Sequence, residues 1–383
     1  MTGSPASKAA SRAPVPRRVE APFEYVFPAI RGVQAGREYF VSMCPLRLLP
    51  KIFLFDEEEL VPELRAQRVL NKGRLPEIVR YILDNSASYV FSAITVSIDD
   101  DVRFQPIGAE ESHAGMLGAL HVGMSSRFII NDGQHRRAAI ELALRERPEL
   151  ANESIAVVFF IDAGLERCQQ MFADLNRYAV RPSKSVGVLY DHRDERALVA
   201  RLVVMKSKVF RDVVEMERST LSARSRKLFT LSAIYGATSV LLHQIPVEDR
   251  NERVQLAISY WDSVAVRLPE WRAVSERRAS AAEIRRDFIH SHGIVLHALG
   301  RIGNTLLRQS RDPKTWDVAL RRLDKMEWSR SNKKLWEGRA LIGGRVSKAE
   351  TNVVLTTNAI KKTVGLSLSP EEQRVEDAFL RSE

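Results

Sequence analysis

A change of pattern between residues 128 and 140 constrains the fold of this chain more than any other stretch. Residues 128–130 are bulky and apolar, as in a strand, Gly133 indicates a turn, and the apolar spacing that follows predicts a helix. The first N–H groups of a helix lack internal partners and lie at the positive end of its dipole, and a glycine lets an anion come close to them. With Arg136 and Arg137 in the first turn, the segment is typical of a phosphate-binding loop. The alternative is an ordinary strand-turn-helix in which Asp132 caps the helix and the arginines are solvated.

No stretch matches Gly-x-x-x-x-Gly-Lys-Ser/Thr, which excludes a P-loop ATPase. A bound nucleotide is therefore expected at the loop of residues 132–137. There Gly133 lets the backbone approach, and His135 and Arg136 face phosphate. Asp132 either caps the helix, which the sequence favours, or holds Mg²⁺ through water.

The pentapeptide at residues 132–136 resembles the defining motif of the DGQHR-domain proteins, and the surrounding chain resembles the DndB family of bacterial DNA sulfur modification proteins. Residues 67–74, 169–177 and 181–185 carry the resemblance further, and the four stretches together span roughly residues 23–200. The resemblance implies a ParB/sulfiredoxin-like core whose loop at a helix start binds nucleotide phosphates. It also implies control of the DNA phosphorothioation operon and of how much DNA is modified.

The loop departs from both named relatives. Sulfiredoxins carry a reactive cysteine where this chain has Gln134, so sulfiredoxin chemistry is not expected. ParB-type proteins bind CTP through a Gly-Glu-Arg-Arg loop, which the pair Gln134-His135 does not match. The identity of the nucleotide therefore stays open, and the candidates are ATP or CTP with Mg²⁺.

The resemblance adds three residues to the expected phosphate site. A segment that folds back across the loop would bring Lys184 or Arg181 to the same anion, whereas the alternative is that Asn176 and Ser183 only end one helix and cap the next. The expected nucleotide- or phosphate-binding residues are Asp132, Gly133, Gln134, His135, Arg136, Arg137, Asn176, Ser183 and Lys184.

Positive charge is concentrated in the second half of the chain. Residues 1–200 hold 25 Lys/Arg against 26 Asp/Glu, a net charge of −1, and residues 201–363 hold 31 against 17, a net charge of +14. The remainder from Val364 holds 2 against 5, a net charge of −3. A basic region of this kind predicts binding to a polyanion, here double-stranded DNA, and the alternative is a solvated basic surface.

Cations interleaved with tryptophans give the DNA-binding candidates. Trp328 and Trp336 either stack on bases or belong to the core, and Thr356 and Thr357 are read as caps of a short basic helix. The expected DNA-binding residues are Arg321, Arg322, Lys325, Arg330, Lys333, Lys334, Lys361 and Lys362.

The sequence predicts an α+β protein. Residues 1–22 are expected to be a disordered basic arm, 23–195 a ParB/sulfiredoxin-like mixed α/β domain, 196–363 a mainly α-helical basic domain and 364–383 an acidic tail. The first domain is expected to hold a hairpin at 23–41, an extended stretch at 45–55, helices at 56–64, 76–83 and 165–176, and strands at 93–97, 128–132 and 155–161, the last buried on both faces. Residues 106–125 are expected to hold little regular structure. The clearest later helices are 194–217, 226–243, 250–268, 280–308 and 314–326.

Several function classes are not expected. No run of 18 or more uncharged apolar residues and no signal peptide is found, so we expect a cytoplasmic protein without membrane spans. Cys44 and Cys168 lie far apart and are read as buried thiols without a catalytic role. His290, His292 and His297 are read as part of a core helix rather than as metal ligands.

One further polar group precedes the loop. Gln67, Asn71 and Arg74 would share a helical face if their segment is helical, either in contact with nucleotide or nucleic acid or solvated.

Together these features predict a DNA-binding transcriptional regulator of the phosphorothioation operon with a nucleotide-binding DGQHR loop. The rival hypothesis is a nucleotide hydrolase that powers or licenses the modification complex. Expected partners are double-stranded DNA and other DNA sulfur modification proteins. The sequence leaves the oligomeric state open.

Overall fold

The chain divides into two units. The computed structural model describes residues 23–53, 70–109, 111–161, 165–177 and 182–382, so the predicted arm, the helix at 56–64, Gln67 and Arg181 lie outside the described residues. Contacts between Cα atoms group the chain into Met1–Val180, here the N unit, and Arg181–Glu383, here the C unit. The sequence placed this boundary near residue 195. Residues 184–190 form a helix that packs on C-unit helices, which is why the structural boundary falls earlier.

In the residues that the structure describes, the N unit combines a seven-stranded mixed sheet with four α-helices. The strands are β1 (Glu24–Gln34), β2 (Arg37–Pro45), β3 (Ile94–Asp99), β4 (Val102–Pro106), β5 (Leu117–Gly123), β6 (Arg127–Asp132) and β7 (Ser154–Ile161). The helices are α1 (Leu49–Ile52), α2 (Leu75–Asp84), α3 (Gln134–Glu146) and α4 (Leu165–Arg177). The strand order is β4-β5-β1-β2-β7-β3-β6, and all neighbours are antiparallel except β3 and β7.

The hairpin predicted at residues 23–41 is confirmed. Its turn consists of Ala35 and Gly36, which have φ values of +50° and +75°. Two central residues with positive φ are typical of the type I′ turn, whose twist matches that of the two strands. Ile30 of β1 then pairs with Val41 of β2.

Two stretches of the N unit differ from the sequence prediction. Residues 106–125 contain β5, which pairs with β1 and β4 through long-range contacts that its glycine-rich sequence does not reveal. Residues 45–55 were expected to be extended, but Leu46–Leu48 form a 3-10 helix and α1 follows. Leu46, Leu49 and Phe53 are buried at helical spacing, and their packing into the core explains the helix.

β7 is buried on one face rather than on both. Ile155, Val157 and Phe159 lie in the N-unit core, whereas Val158 and Phe160 are half-buried. This alternation is that of a sheet with one fully covered face. The strand itself and the helices predicted at 76–83 and 165–176 are confirmed.

The C unit is built mainly of helices. They are α5 (Lys184–Tyr190), α6 (Glu195–Lys206), α7 (Leu231–Leu241), α8 (Arg250–Val266), α9 (Pro269–Ser275), α10 (Ala281–Asp287), α11 (Gly293–Gln309), α12 (Pro313–Leu320), α13 (Lys333–Trp336), α14 (Glu350–Val364) and α15 (Pro370–Ser382). Two small two-stranded sheets pair β8 (Val214–Glu215) with β9 (Phe229–Thr230) and β10 (Leu341–Ile342) with β11 (Arg345–Val346). The helices expected at 250–268 and near 314–326 are confirmed, and 280–308 is split into α10 and α11.

The acidic end of the chain is a packed helix, not a tail. α15 lies against α14, and its Glu376 is fully buried. The carboxylate of Glu376 accepts from Arg339 Nη1 and Nη2 at 2.9 and 2.8 Å. The acidic composition of this segment therefore serves ion pairing within the C unit.

No helix in the described ranges is both long and apolar enough to cross a membrane.

Candidate functional site

Gly133 sits between β6 and α3 in a conformation that favours glycine. It occupies the N-cap position of α3 with a φ of +106°. A Cβ atom at this position would lie 3.0 Å from Ile94 Cγ1 and 3.0 Å from Arg136 Nη2. The predicted glycine-dependent turn is thus confirmed, since both the dihedral angle and the close packing disfavour a side chain.

Asp132 does not cap the helix, contrary to the sequence interpretation. No side chain caps the start of α3, because Gly133 holds the cap position and the Asp132 carboxylate lies one residue earlier. Asp132 Oδ2 instead accepts from Arg136 Nη2 at 2.7 Å. This ion pair spans the turn that leads into the helix.

Arg136 joins the helix start to the segment before β3. Its Nη2 also donates to the carbonyl oxygen of Ala93 at 3.1 Å, and its Nη1 donates to the Ser92 hydroxyl. Only 19% of the side chain is exposed. The guanidinium is therefore already held by three groups of the N unit.

Gln134 and Arg137 point into the protein. Gln134 Nε2 donates to the Ile130 carbonyl at 3.1 Å, and Arg137 donates to Glu141 Oε2 at 2.5 Å and to the Pro50 carbonyl at 3.2 Å. Both are less than a tenth exposed. Successive helical residues point about 100° apart, so four consecutive polar side chains cannot all face one anion. The expectation that Gln134 and Arg137 face phosphate is corrected accordingly.

His135 connects the DGQHR stretch, residues 132–136, with the 67–74 motif. The N–H of Asn71 donates to His135 Nε2 at 3.1 Å, and Asn71 Oδ1 accepts from the Gly73 N–H at 3.1 Å. Asn71 caps the 3-10 helix Lys72–Arg74, in which Lys72 and Arg74 are exposed. Asn71 and Arg74 thus do not share an α-helical face, and Gln67 lies outside the described residues. Lys72 lies in the 67–74 motif but was not among the predicted site residues, although the order of the motifs was the signal that these segments meet.

The three remaining phosphate candidates lie elsewhere along the chain. Asn176 is in the last turn of α4. Ser183 caps α5, since its hydroxyl accepts from the Val186 N–H at 3.1 Å, and this confirms the capping interpretation. Lys184 is the exposed first residue of α5 and, like Ser183, belongs to the C unit.

Two of the DNA-binding candidates pair with carboxylates of α15. Lys361 is 7% exposed, and its Nζ lies 2.8 Å from both carboxylate oxygens of Glu372. Lys362 Nζ donates to Glu376 Oε1 at 2.6 Å. The predicted DNA contacts of Lys361 and Lys362 are corrected, because both ammonium groups already bind carboxylates of the acidic segment. Nothing in the sequence indicates that this segment folds back on them. Thr356 and Thr357 are buried inside α14 and do not begin a helix.

The contacts of the Glu376 carboxylate are reflected in its pKa. Burial by itself raises the pKa of Glu376, but hydrogen bonds from Arg339, Lys362 and Asn358 outweigh it and lower the pKa to about 2.

The other DNA-binding candidates divide into held and exposed side chains. Arg322 donates to the Val364 carbonyl at 3.1 Å, and Arg330 donates to the Gly344 carbonyl at 2.9 Å. Arg321 is exposed and pairs with Asp317 at 3.1 Å. The exposed lysines of this group are Lys325, Lys333 and Lys334.

The two tryptophans between these cations belong to the core. Trp328 is 7% exposed, Trp336 is fully buried, and their rings stack with centroids 5.6 Å apart. The core interpretation is confirmed, and neither ring is available to stack on a base.

The sequence model of the DndB family, described as DNA-sulfur modification-associated, matches residues 27–367, nearly the whole chain. The chain belongs to the DndB family. No curated protein and no solved structure matches it. Membership in the DndB family associates the chain with DNA sulfur modification.

Both cysteines of this DndB family member are buried. Cys44 is fully buried in β2, and desolvation raises the pKa of its thiol to about 12. Cys168 is buried in α4. The interpretation of both as buried thiols is confirmed, and its raised pKa makes Cys44 a poor nucleophile.

The three histidines do not share one core helix: His290 lies in a turn, His292 is the N-cap of α11 and His297 lies within α11, and the last two are half-buried. His290 is fully buried, and its Nδ1 accepts from Trp271 Nε1 at 3.0 Å. Burial lowers the pKa of His290, so the imidazole is neutral near pH 7. In the described part of the chain no group of three His, Cys, Asp or Glu side chains is placed to hold a metal ion.

Proposed function

We propose that this DndB family member is a DNA-binding regulatory protein of the bacterial phosphorothioation system that acts on transcription of the modification operon. The observation that carries the proposal is the difference in charge between the two units of a DNA-sulfur modification-associated chain. Residues 1–180 hold 21 Lys/Arg against 23 Asp/Glu, a net charge of −2, whereas residues 181–383 hold 37 against 25, a net charge of +12. Lysines and arginines that neutralise DNA phosphates release counterions, so a basic unit gains affinity for duplex DNA.

The N unit is proposed to bind a nucleotide or phosphate at the start of α3. No side chain caps the first N–H groups of α3, and α3 has no acidic residue in its first turn. His135 and the exposed Lys72 and Arg74 add polar and cationic groups beside it. Asp132 is half exposed and is suited to hold Mg²⁺ through water with ATP or CTP.

Two elements of this proposal come from the resemblance rather than from the geometry. A ParB/sulfiredoxin-like origin of the N-unit core is compatible with its mixed sheet and with the loop at a helix start. Asn176 stays in the proposed phosphate site on the same ground, whereas Ser183 and Lys184 belong to the C unit, where Ser183 caps α5. Other DNA sulfur modification proteins are proposed as partners.

A titration of labelled operon-promoter duplex with the full chain tests the proposal. We expect binding near physiological salt that weakens steeply as salt rises, with added ATP or CTP and Mg²⁺ changing the affinity. No binding to this duplex near physiological salt would overturn the regulatory function. DNA-stimulated release of phosphate from the nucleotide would instead favour the hydrolase.

A further inference from the structure

Residues 216–228 join β8 to β9 in the C unit, and their central part, residues 218–227, is a loop rich in cations. It contains four Lys/Arg and no Asp/Glu. None of these residues was among the DNA-binding candidates chosen from the sequence. The structure shows that the loop is held in place from two sides.

Arg285 of α10 holds the middle of the loop. Its guanidinium donates to the carbonyl oxygens of Ser222 at 2.9 Å, Ala223 at 3.3 Å and Ser225 at 3.1 Å, and it also donates to the Lys227 carbonyl. One side chain thus satisfies four backbone carbonyls. A loop held in this way loses little conformational entropy when it binds a ligand.

The start of α5 holds the beginning of the loop. The Ser183 hydroxyl donates to the Glu217 carbonyl, and the Ser185 hydroxyl donates to the Arg218 carbonyl at 3.0 Å. The Ser185 N–H donates to the Ser219 hydroxyl at 3.0 Å. Lys184 lies between the two serines and is exposed, so it adds a cation beside the loop.

Two carboxylates directly precede the loop: Glu217 is exposed, and Glu215 is already used by the backbone. Glu215 Oε1 accepts the N–H groups of Glu217 at 3.1 Å and Arg218 at 3.3 Å. These contacts, together with the charges of Arg218 and Lys227, lower the pKa of Glu215. Glu215 therefore offsets charge at the beginning of the loop, next to Arg218.

Arg224 and Arg226 keep their charge for an external partner. Both are exposed, and in the part of the chain that the structure describes neither has a carboxylate at ion-pair distance. Lys184 is in the same situation. Burial and then the charge of Lys184 lower the pKa of Lys348, which shows that a further cation lies close to Lys184. Like charges held together without counter-charges repel one another, and a polyanion relieves this cost.

We infer that Lys184, Arg224 and Arg226, presented by the rigid 218–227 loop and the start of α5, contact the phosphate backbone of duplex DNA. Guanidinium groups match phosphate oxygens in charge and geometry. The inference rests on the proposed DNA-binding function and assigns it to a surface. It also gives the 181–185 stretch a physical role, since its two serines position the loop and its lysine adds a charge.

The test uses the full chain and a fluorescently labelled duplex of about 30 base pairs, with anisotropy measured at several salt concentrations. The variant Arg224→Gln/Arg226→Gln removes two charges. The control Lys206→Gln/Lys208→Gln removes two exposed charges of the same unit outside this surface. Circular dichroism and thermal melting confirm that both variants fold.

We expect the loop variant to lose about tenfold or more in affinity near physiological salt, and the slope of log K against log salt to fall by about 1.8. The control should keep the wild-type slope within about half a unit. Arg285→Lys keeps a charge but cannot reach four carbonyls, so we expect it to weaken DNA binding with net charge unchanged.

Each outcome decides between the two proposals. If the wild-type chain binds the duplex and the loop variant binds as the control does, the inference is wrong and the DNA-binding function stands. If the wild-type chain does not bind the duplex, both are overturned. If the loop variant loses affinity only for a single-stranded RNA of equal length, the surface serves RNA and the inference is wrong.

Discussion

The start of α3 in the N unit and the 218–227 loop in the C unit are each fixed by a guanidinium that donates to backbone carbonyls, Arg136 at α3 and Arg285 of α10 at the loop. The two regions differ in whether their other cations have carboxylate partners. At α3, Arg136 pairs with Asp132 and Arg137 pairs with Glu141. At the loop, Arg285 is the holding group, and Arg224 and Arg226 have no carboxylate partner among the described residues. The presence of cations in a motif therefore does not tell which charges are available to a ligand. The positions of the carboxylates decide this.

The buried ion pair between Glu376 of α15 and Arg339 is the clearest example of charges paired inside the protein. The variant Glu376→Ala tests how much this pair contributes to stability. The substitution leaves Arg339 buried without its carboxylate, and we expect a loss of about 3–5 kcal/mol in the free energy of unfolding. Urea unfolding measures this. Glu371→Ala, at an exposed position of the same helix, should cost under about 0.5 kcal/mol. Equal losses for the two variants would show that the buried pair has no special weight.

The same carboxylate makes stability depend on pH. The pKa of Glu376 is lowered to about 2 in the folded chain from 4.5, so its contribution is present above about pH 4.5 and is lost as pH falls through about 2. We expect the melting temperature of the wild type to drop over this range more than that of Glu376→Gln. If the melting temperatures of the two proteins fell equally with pH, Glu376 would not be the group responsible for the pH dependence.

In the N unit, the variant Gly133→Val tests whether the start of α3 depends on the backbone conformation at residue 133 rather than on charge. The β-branched side chain resists a φ of +106° and meets Ile94, so we expect a loss of about 1–3 kcal/mol in stability and weaker nucleotide binding. Gly36→Val is the matched control, because Gly36 has a φ of +75° with nothing within 4 Å of its Cβ position. Calorimetry and thermal melting separate binding from folding. Normal nucleotide binding by Gly133→Val would place the site elsewhere.

The variant Arg136→Ala tests whether Arg136, which is already paired with Asp132, also binds the nucleotide. It removes a charge-assisted contact of about 1.5–3 kcal/mol, so we expect nucleotide affinity to fall roughly tenfold or more while the fold survives. Arg145→Ala, near the far end of the same helix and largely exposed, should leave binding unchanged. Unchanged affinity in a folded Arg136→Ala protein, measured by calorimetry, would assign the Asp132–Arg136 pair to structure alone.

Cys44→Ser and Cys168→Ser should give the smallest effects. Both thiols are buried, so we expect a stability loss of about 1 kcal/mol at most and no change in nucleotide or DNA binding. Iodoacetamide should label neither thiol in the folded chain. A folded Cys44→Ser protein without DNA or nucleotide binding would show that the chemistry lies at the thiol.

Local patterns in the sequence were enough to predict several elements that position the candidate site. The first hairpin, α2, β6, α3 and the need for glycine at residue 133 follow from alternation, helical spacing and turn chemistry. The strand β5 and the parallel pairing of β3 with β7 did not follow, because they depend on partners distant in the chain. The same holds for the contact between Asn71 and His135, which joins two motifs 64 residues apart.

The sequence by itself determined where positive charge accumulates and that the chain resembles the DndB family, because composition and ordered motifs are properties of the chain alone. Only the tertiary structure decided which of those charges remain available. α15 folds back so that its carboxylates pair with Lys361 and Lys362, whereas Arg285 and the start of α5 hold the 218–227 loop with Arg224 and Arg226 exposed. The physical reason is that an ion pair forms between groups close in space, and packing brings together carboxylates and cations that the chain places far apart.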